Sequence, residues 1–303
     1  MNSTTKLNII YFPLNVLLHA TALLPFWALY RISDFLYFVI FHVVRYRVKI
    51  VRKNVSESFP EKSEKDISLI VKDFYRHFAD FFVETIKLLH ISDEEMRRRM
   101  IFEGVEIIDE GFDKGRSMMM LAGHYGNWEY ITSLTLWSRH SNDDKCVFAQ
   151  IYRPLRNKWF DTFFLHLRGR FNSCCFTKKN AFRDLIKLKQ KGICSITGFI
   201  SDQHPSGSDV NHVMKFLNHD TAFITGSETI ARKLDLDTLY FDLEKIKRGY
   251  YKITIRKILF NPTENQSISI TDCYATFLEA SIKRDPSLWL WTHNRWKHKV
   301  VIS

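Results

Sequence analysis

A chain of 303 residues with 46% hydrophobic, 15% aromatic and 25% charged residues can bury one large core, which excludes a disordered or low-complexity scaffold. Its mean hydropathy of −0.19 excludes a polytopic membrane protein, though not a chain with one anchored end. The formal charge of +11 points to anionic partners: phospholipid, a phosphorylated substrate, an acidic protein or nucleic acid.

The N-terminus is of a different material from the rest. Between Ile9 and Val44 only Arg31 and Asp34 carry full charges. Ile9 to Tyr30 supplies about the 20 apolar residues that a spanning helix needs, weakened by Pro13, Asn15, His19 and Pro25, whereas Phe35 to Val44 is too short to span. The cluster Arg45, Arg47, Lys49, Arg52 and Lys53 follows. It favours the cytoplasmic face and attracts anionic headgroups by about 1 kcal/mol per charge. A cleaved signal peptide fits poorly, because the apolar run continues past Ala20-Thr21-Ala22 into Leu23, Leu24, Phe26 and Trp27. We read residues 1–45 as a membrane anchor or embedded hairpin, with a helical hairpin buried in a soluble core as the competing reading. Residues 46–303 read as one α/β domain.

Along that domain the apolar period changes repeatedly. Asp66–Leu89 has helical spacing, and Ser92 with Glu95 predicts a capping box on a short basic helix. Ser117–Ala122 is a buried strand ending at Gly123, followed by a helix from about Asn127 to Ser138. Further strands are expected at Cys146–Tyr152, Ser173–Phe176, Ile193–Ile200, Val213–Leu217, Thr238–Leu243 and Tyr251–Leu259. Helices are expected at Lys158–Arg168, Ala181–Lys189, Gly226–Leu234 and Ile270–Arg284, with a polar loop at Asp202–Asn211. Such alternation predicts a mixed central sheet with helices on both faces. The five cysteines (Cys146, Cys174, Cys175, Cys194, Cys273) are odd in number and lack CxxC spacing. Neither a disulfide framework nor a zinc ribbon is expected, and a reducing compartment fits.

Three histidines have an acid five residues on: His90/Glu95, His124/Glu129 and His204/Asp209. The spacing alone therefore decides nothing. Only His124 follows an apolar strand and opens a helix, at the carboxyl edge where α/β proteins place reactive groups. Gly123 and Gly126 allow a tight turn there. Imidazole can take a proton from a hydroxyl near neutral pH, and a nearby carboxylate would fix its tautomer. A satisfied structural histidine is the plainer alternative.

His124-Tyr-Gly-Asn127-Trp-Glu129 resembles the H-x4-D/E motif of the lipid A late acyltransferase (lysophospholipid acyltransferase-like) family. The likeness continues through Tyr46–Asn54 and Ser58–Glu61, Tyr152-Arg153-Pro154, Arg168-Gly-Arg170, Asp202-Gln203, Thr225-Gly226 and Trp289–Lys297. Asn294 departs from the arginine of some members. The resemblance implies transfer of a fatty acyl chain from acyl carrier protein to a hydroxyl of a membrane lipid, at the cytoplasmic side of the inner membrane, without metal or organic cofactor. It makes His124 the general base and Glu129 its orienter. The oxyanion would be held by backbone N–H groups after Gly126 or by Arg168 or Arg170. Arg153, Asn127, Asp202, His293, Arg295 and Lys297 would contact substrate, with Asp202 anchoring an arginine or its own loop, or serving merely as a turn residue. Trp289, Trp291 and Trp296 suit either a membrane interface or the core.

Glu129 in place of Asp, and no Phe-Pro-Glu-Gly block after the histidine, favour a lipid A acceptor over glycerophospholipid. Another glycolipid, aminolipid or lysophospholipid acceptor remains the alternative. A serine or cysteine hydrolase lacks its G-x-S-x-G elbow, a nucleic-acid reader lacks a reading motif, and a non-catalytic membrane module would not need His124.

Overall fold

The computed structural model describes residues 3–205, 212–258 and 269–297. The chain begins with helices α1 (Ser3–Leu23) and α2 (Phe26–Phe38), the latter running on as a π-helical turn through Val43. Pro25 forces the break between them, since it cannot continue the hydrogen bonds of a helix and restricts the residue before it. The stretch long and apolar enough to cross a membrane is therefore Phe26–Val43, not Ile9–Tyr30, and Ile10–Leu23 is a shorter apolar helix. Arg45 and Arg47, both at positive φ, turn the chain into α3 (Val48–Ser58).

The long helix α4 (Glu64–Lys87) is N-capped by Ser63, whose hydroxyl accepts from the Asp66 amide. Only half of the expected capping box forms at α5 (Asp93–Arg99): Ser92 accepts from the Glu95 amide, while the Glu95 carboxylate turns to Arg99. Then come β1 (Met100–Glu103), α6 (Val105–Asp113), β2 (Met118–Ala122) and a 3-10 helix at Trp128–Leu136 where an α-helix was expected. β3 (Cys146–Tyr152), α7 (Lys158–Gly169), β4 (Cys174–Thr177), α8 (Ala181–Gln190) and β5 (Cys194–Ile200) lie within a residue of expectation. β6 (Val213–Phe216) is folded back on β7 (His219–Ala222), an unforeseen hairpin whose turn residues Leu217 and Asn218 both have positive φ. α9 (Gly226–Leu234), β8 (Asp237–Lys247), β9 (Tyr250–Ile258) and α10 (Ile270–Arg284) complete the domain. Of the expected loop Asp202–Asn211, residues 206–211 lie outside the described residues, as does Leu259.

The sheet is mixed, in the order β1-β9-β8-β2-β5-β3-β4, with β9 antiparallel to β8 and the other neighbours parallel. This is the expected α/β class. β2 lies at the centre with all five residues buried, as a continuous apolar run should when helices cover both faces. Its register against β5 positions the site: Ala122 lies opposite Ile200, so the residues two steps beyond, His124 and Asp202, leave adjacent parallel strands side by side.

Helix α2 is docked on α4 by polar groups. Ser33 donates to Asp80 at 2.6 Å, and Arg248 from the β8–β9 turn pairs with both Asp34 and Asp80. Its other face exposes Trp27, Phe35 and Phe38, alongside Phe12, Leu17 and Leu23 of α1.

Candidate active site

His124 stands just past the end of β2 with its ring about one-fifth exposed. Its Nδ1 lies 2.6 Å from Asp202 Oδ1, and its backbone N–H donates to Asp202 Oδ2 at 2.9 Å. The indole N–H of Trp289 donates to the same Oδ2 at 2.8 Å. An ionised carboxylate only accepts, so Nδ1 carries a proton, and in the neutral ring Nε2 is left with its lone pair. Burial alone would raise the Asp202 pKa. The adjacent His124 ring, its N–H, the Trp289 indole and the His124 amide outweigh burial and hold it down to about 2.

The orienting carboxylate is thus Asp202, which corrects the expectation that Glu129 fills this role. Glu129 is buried, and its two oxygens accept from Arg168 Nε at 2.9 Å and Nη2 at 2.6 Å, a bidentate pair. Burial opposes the Arg168 charge, but Glu129 more than offsets this and raises its pKa. No hydrogen bond joins Glu129 to His124 among the described residues. The pair instead ties the 3-10 helix to α7, leaving the Arg168 fork engaged rather than aimed at an oxyanion. Arg170 caps α7 and donates to the Ile91 carbonyl, so it too departs from the oxyanion role.

The loop carrying His124 is held from several sides. The Gly126 N–H donates to Leu288, the Leu290 N–H donates to the His124 carbonyl, and Tyr125 bridges Trp289. Gly126 has φ 59°, and a Cβ there would come within 2.3 Å of Leu243 Cδ2, so both conformation and space require glycine. Asn127 is fully buried and donates to Glu84 at 2.8 Å. Its expected substrate contact is replaced by an internal one. Glu84 also accepts from Tyr251 at 2.9 Å and from Tyr30 of α2 at 3.2 Å. Burial and neighbouring Asp80 push its pKa up to about 7, against the lowering by Asn127 and Tyr251.

The C-terminal block is core, not membrane interface. Trp289 and Trp291 are buried, and Trp291 and Trp296 donate their indole N–H groups to Pro286 and Thr221. Arg295 is only 1% exposed, one Nη donating to Ala222, with Nε and the other Nη unpartnered among the described residues. Burial lowers its pKa to about 10, while Asp202 acts to raise it. The neighbouring His293 also has an unpartnered Nδ1, and burial lowers its pKa. Arg153 and Lys297 are exposed, Arg153 in the loop after β3. Phe78, Phe81, Trp128, Trp289 and Leu290 line a narrow apolar slot, and the ring of Trp128 meets that of His124 edge-on at 5.2 Å.

Asp202 and Trp289 thus hold the positions that sequence spacing alone did not assign. A shared register offset on two paired strands is the signal for Asp202; for Trp289 only its place in the Trp/His/Arg/Lys block gave a hint.

A charged acid fixing one nitrogen of an imidazole that stays partly exposed is general-base geometry. Comparison with known proteins agrees with that chemistry. Over 259 residues the chain is 23% identical to the lipid A biosynthesis palmitoleoyltransferase of Escherichia coli (strain K12), covering 84% of this chain and 80% of the relative. The same values hold for the lipid A biosynthesis acyltransferase of Shigella flexneri. The family described as bacterial lipid A biosynthesis acyltransferase matches residues 3–298; with nearly its whole length covered, the chain belongs to that acyltransferase family.

Proposed function

We propose that this protein moves a fatty acyl chain from acyl carrier protein to a hydroxyl of a lipid A precursor, at the cytoplasmic surface of the inner membrane. The His124–Asp202 pair carries the reading, because it supplies a base for an alcohol in a chain of acyltransferase lineage. The acceptor O–H gives its proton to His124 Nε2 as its oxygen attacks the thioester carbonyl. Asp202 stabilises the resulting imidazolium through Nδ1–H. Collapse of the tetrahedral oxyanion expels the carrier thiolate, which takes the proton back from Nε2. Among the described residues Arg295 Nε and one Nη lack partners, and an acyl or headgroup oxygen would satisfy them; one oxyanion donor is typically worth about 10²–10³ in rate.

The docked face of α2 and the exposed rings of α1 and α2 favour helices lying in the headgroup region over a span through the bilayer. The exposed basic run Arg45–Lys53 adds attraction to anionic lipid. Radiolabelled acyl–acyl carrier protein incubated with a lipid A precursor should yield labelled lipid one acyl chain heavier. Label released only as free fatty acid, or moved only to glycerophospholipid, would reject the reading.

A further inference from the structure

At the opposite edge of the sheet, where β3 begins, His140, Asp143 and Cys146 converge. His140 Nδ1 lies 3.4 Å from Asp143 Oδ2, and Cys146 Sγ lies 3.7 Å from the same oxygen. One ligand atom from each residue falls within 4.8 Å of the other two. These contacts are long for good hydrogen bonds. The 3.4 and 3.7 Å separations are instead close to two edges of a coordination tetrahedron: zinc bonds of roughly 2.0–2.3 Å to N, O and S imply ligand–ligand separations of about 3.3–3.6 Å.

The surroundings supply a second, independent sign. The other imidazole nitrogen, His140 Nε2, lies 3.1 Å from Asp113 Oδ1 at the end of α6, and Arg139 engages the second Asp113 oxygen. A carboxylate behind the histidine is the usual partner of a metal-ligating imidazole, because it fixes the tautomer and raises the basicity of the ligating nitrogen. The turn is itself braced: Asp143 Oδ1 accepts from the Lys145 amide, and the Asp143 carbonyl accepts from the Cys146 amide. His140 is largely buried, its ring packed edge-on against Phe112 at 5.5 Å. A depression of about 410 Å³ lined by Asp143, Asp144, Cys146 and Cys174 opens beside it, giving water access to a fourth position.

We propose that His140 Nδ1, Asp143 Oδ2 and Cys146 Sγ bind a borderline-soft divalent cation, Zn²⁺ by its mixed N/O/S preference, with Asp113 as the supporting carboxylate. As the metal–sulfur bond forms, the Cys146 thiol releases its proton to solvent. The site clamps the segment that leads from α6 and the 3-10 helix into β3. It lies at the amino end of strands whose carboxyl ends carry His124, so it takes no part in the transfer and does not depend on the acceptor.

Cobalt provides the test. The full-length protein in detergent should take up one equivalent of Co²⁺ with a thiolate-to-cobalt charge-transfer absorption, and Zn²⁺ should displace it. Cys146→Ser should abolish the band, and Cys174→Ser should leave it unchanged. Asp113→Asn should weaken binding about 10–100-fold while keeping the band. Absence of the band in the unmodified chain, or its persistence in Cys146→Ser, would overturn the proposal.

Discussion

Two buried carboxylates flank the His124 loop and serve opposite ends. Asp202 faces an imidazole, which takes up and releases a proton; Glu129 faces a guanidinium, which does not. The first pair is poised for chemistry because one partner can change its charge. The second is a fixed bond between elements, buried on its carboxylate side. Position within a sequence motif therefore says less about a carboxylate's role than the ionisation range of the group it touches.

The largest effect is expected at the first pair. Asp202→Asn should lower kcat about 10⁴-fold, as loss of the orienting acid does in hydrolytic triads, far more than its accompanying loss of stability accounts for. Comparable turnover in the variant would remove the distinction. Glu129→Ala should show the reverse balance, losing about 1–3 kcal/mol of stability because the partly buried Arg168 loses its bidentate partner. Denaturant unfolding of Glu129→Ala, Arg168→Ala and the double variant measures this. The double variant should recover part of the loss, and strict additivity would contradict a shared bond.

A third contrast uses pH. The Asp202 pKa is lowered to about 2, so its contribution to stability is present above its unfolded value near 4 and disappears as pH falls through 2. The Glu84 pKa is raised to about 7, so its contribution is complete below its unfolded value near 4.5 and is lost as pH rises through 7. That loss is at most about 3 kcal/mol. Glu84→Gln should flatten the decline between pH 5 and 8, and an unaltered unfolding profile there would show that Glu84 does not titrate. The smallest effect belongs to the loop itself. Gly126→Ala should cost about 1–3 kcal/mol through the contact with Leu243 and the positive φ, read as a lower thermal midpoint.

Elements with long apolar runs and clear punctuation were legible from sequence: β3, α9 and α10 lie where spacing put them. β1 was not, because four residues running straight from a basic helix leave no period to read. The candidate histidine, His124, was legible because strand, glycine and helix start are all local. Its partner was not. Recognising Asp202 requires knowing that β2 and β5 pair with Ala122 opposite Ile200, a fact about strands some 78 residues apart. The tryptophans of the closing block were ambiguous for another reason. An indole is equally suited to a core with one hydrogen-bond acceptor and to a headgroup layer, and only the acceptors Asp202, Pro286 and Thr221 decide for the core.

The hold of α3 on the closing block has a consequence for synthesis. Asn54 donates to the carbonyls of Trp291 and His293, 237 and 239 residues further along. During translation, the imidazole and its acid leave the ribosome well before the indole that secures them. A half-made chain therefore has a His124–Asp202 pair without its Trp289 brace. The same wiring closes a long-range loop late, which favours slow maturation.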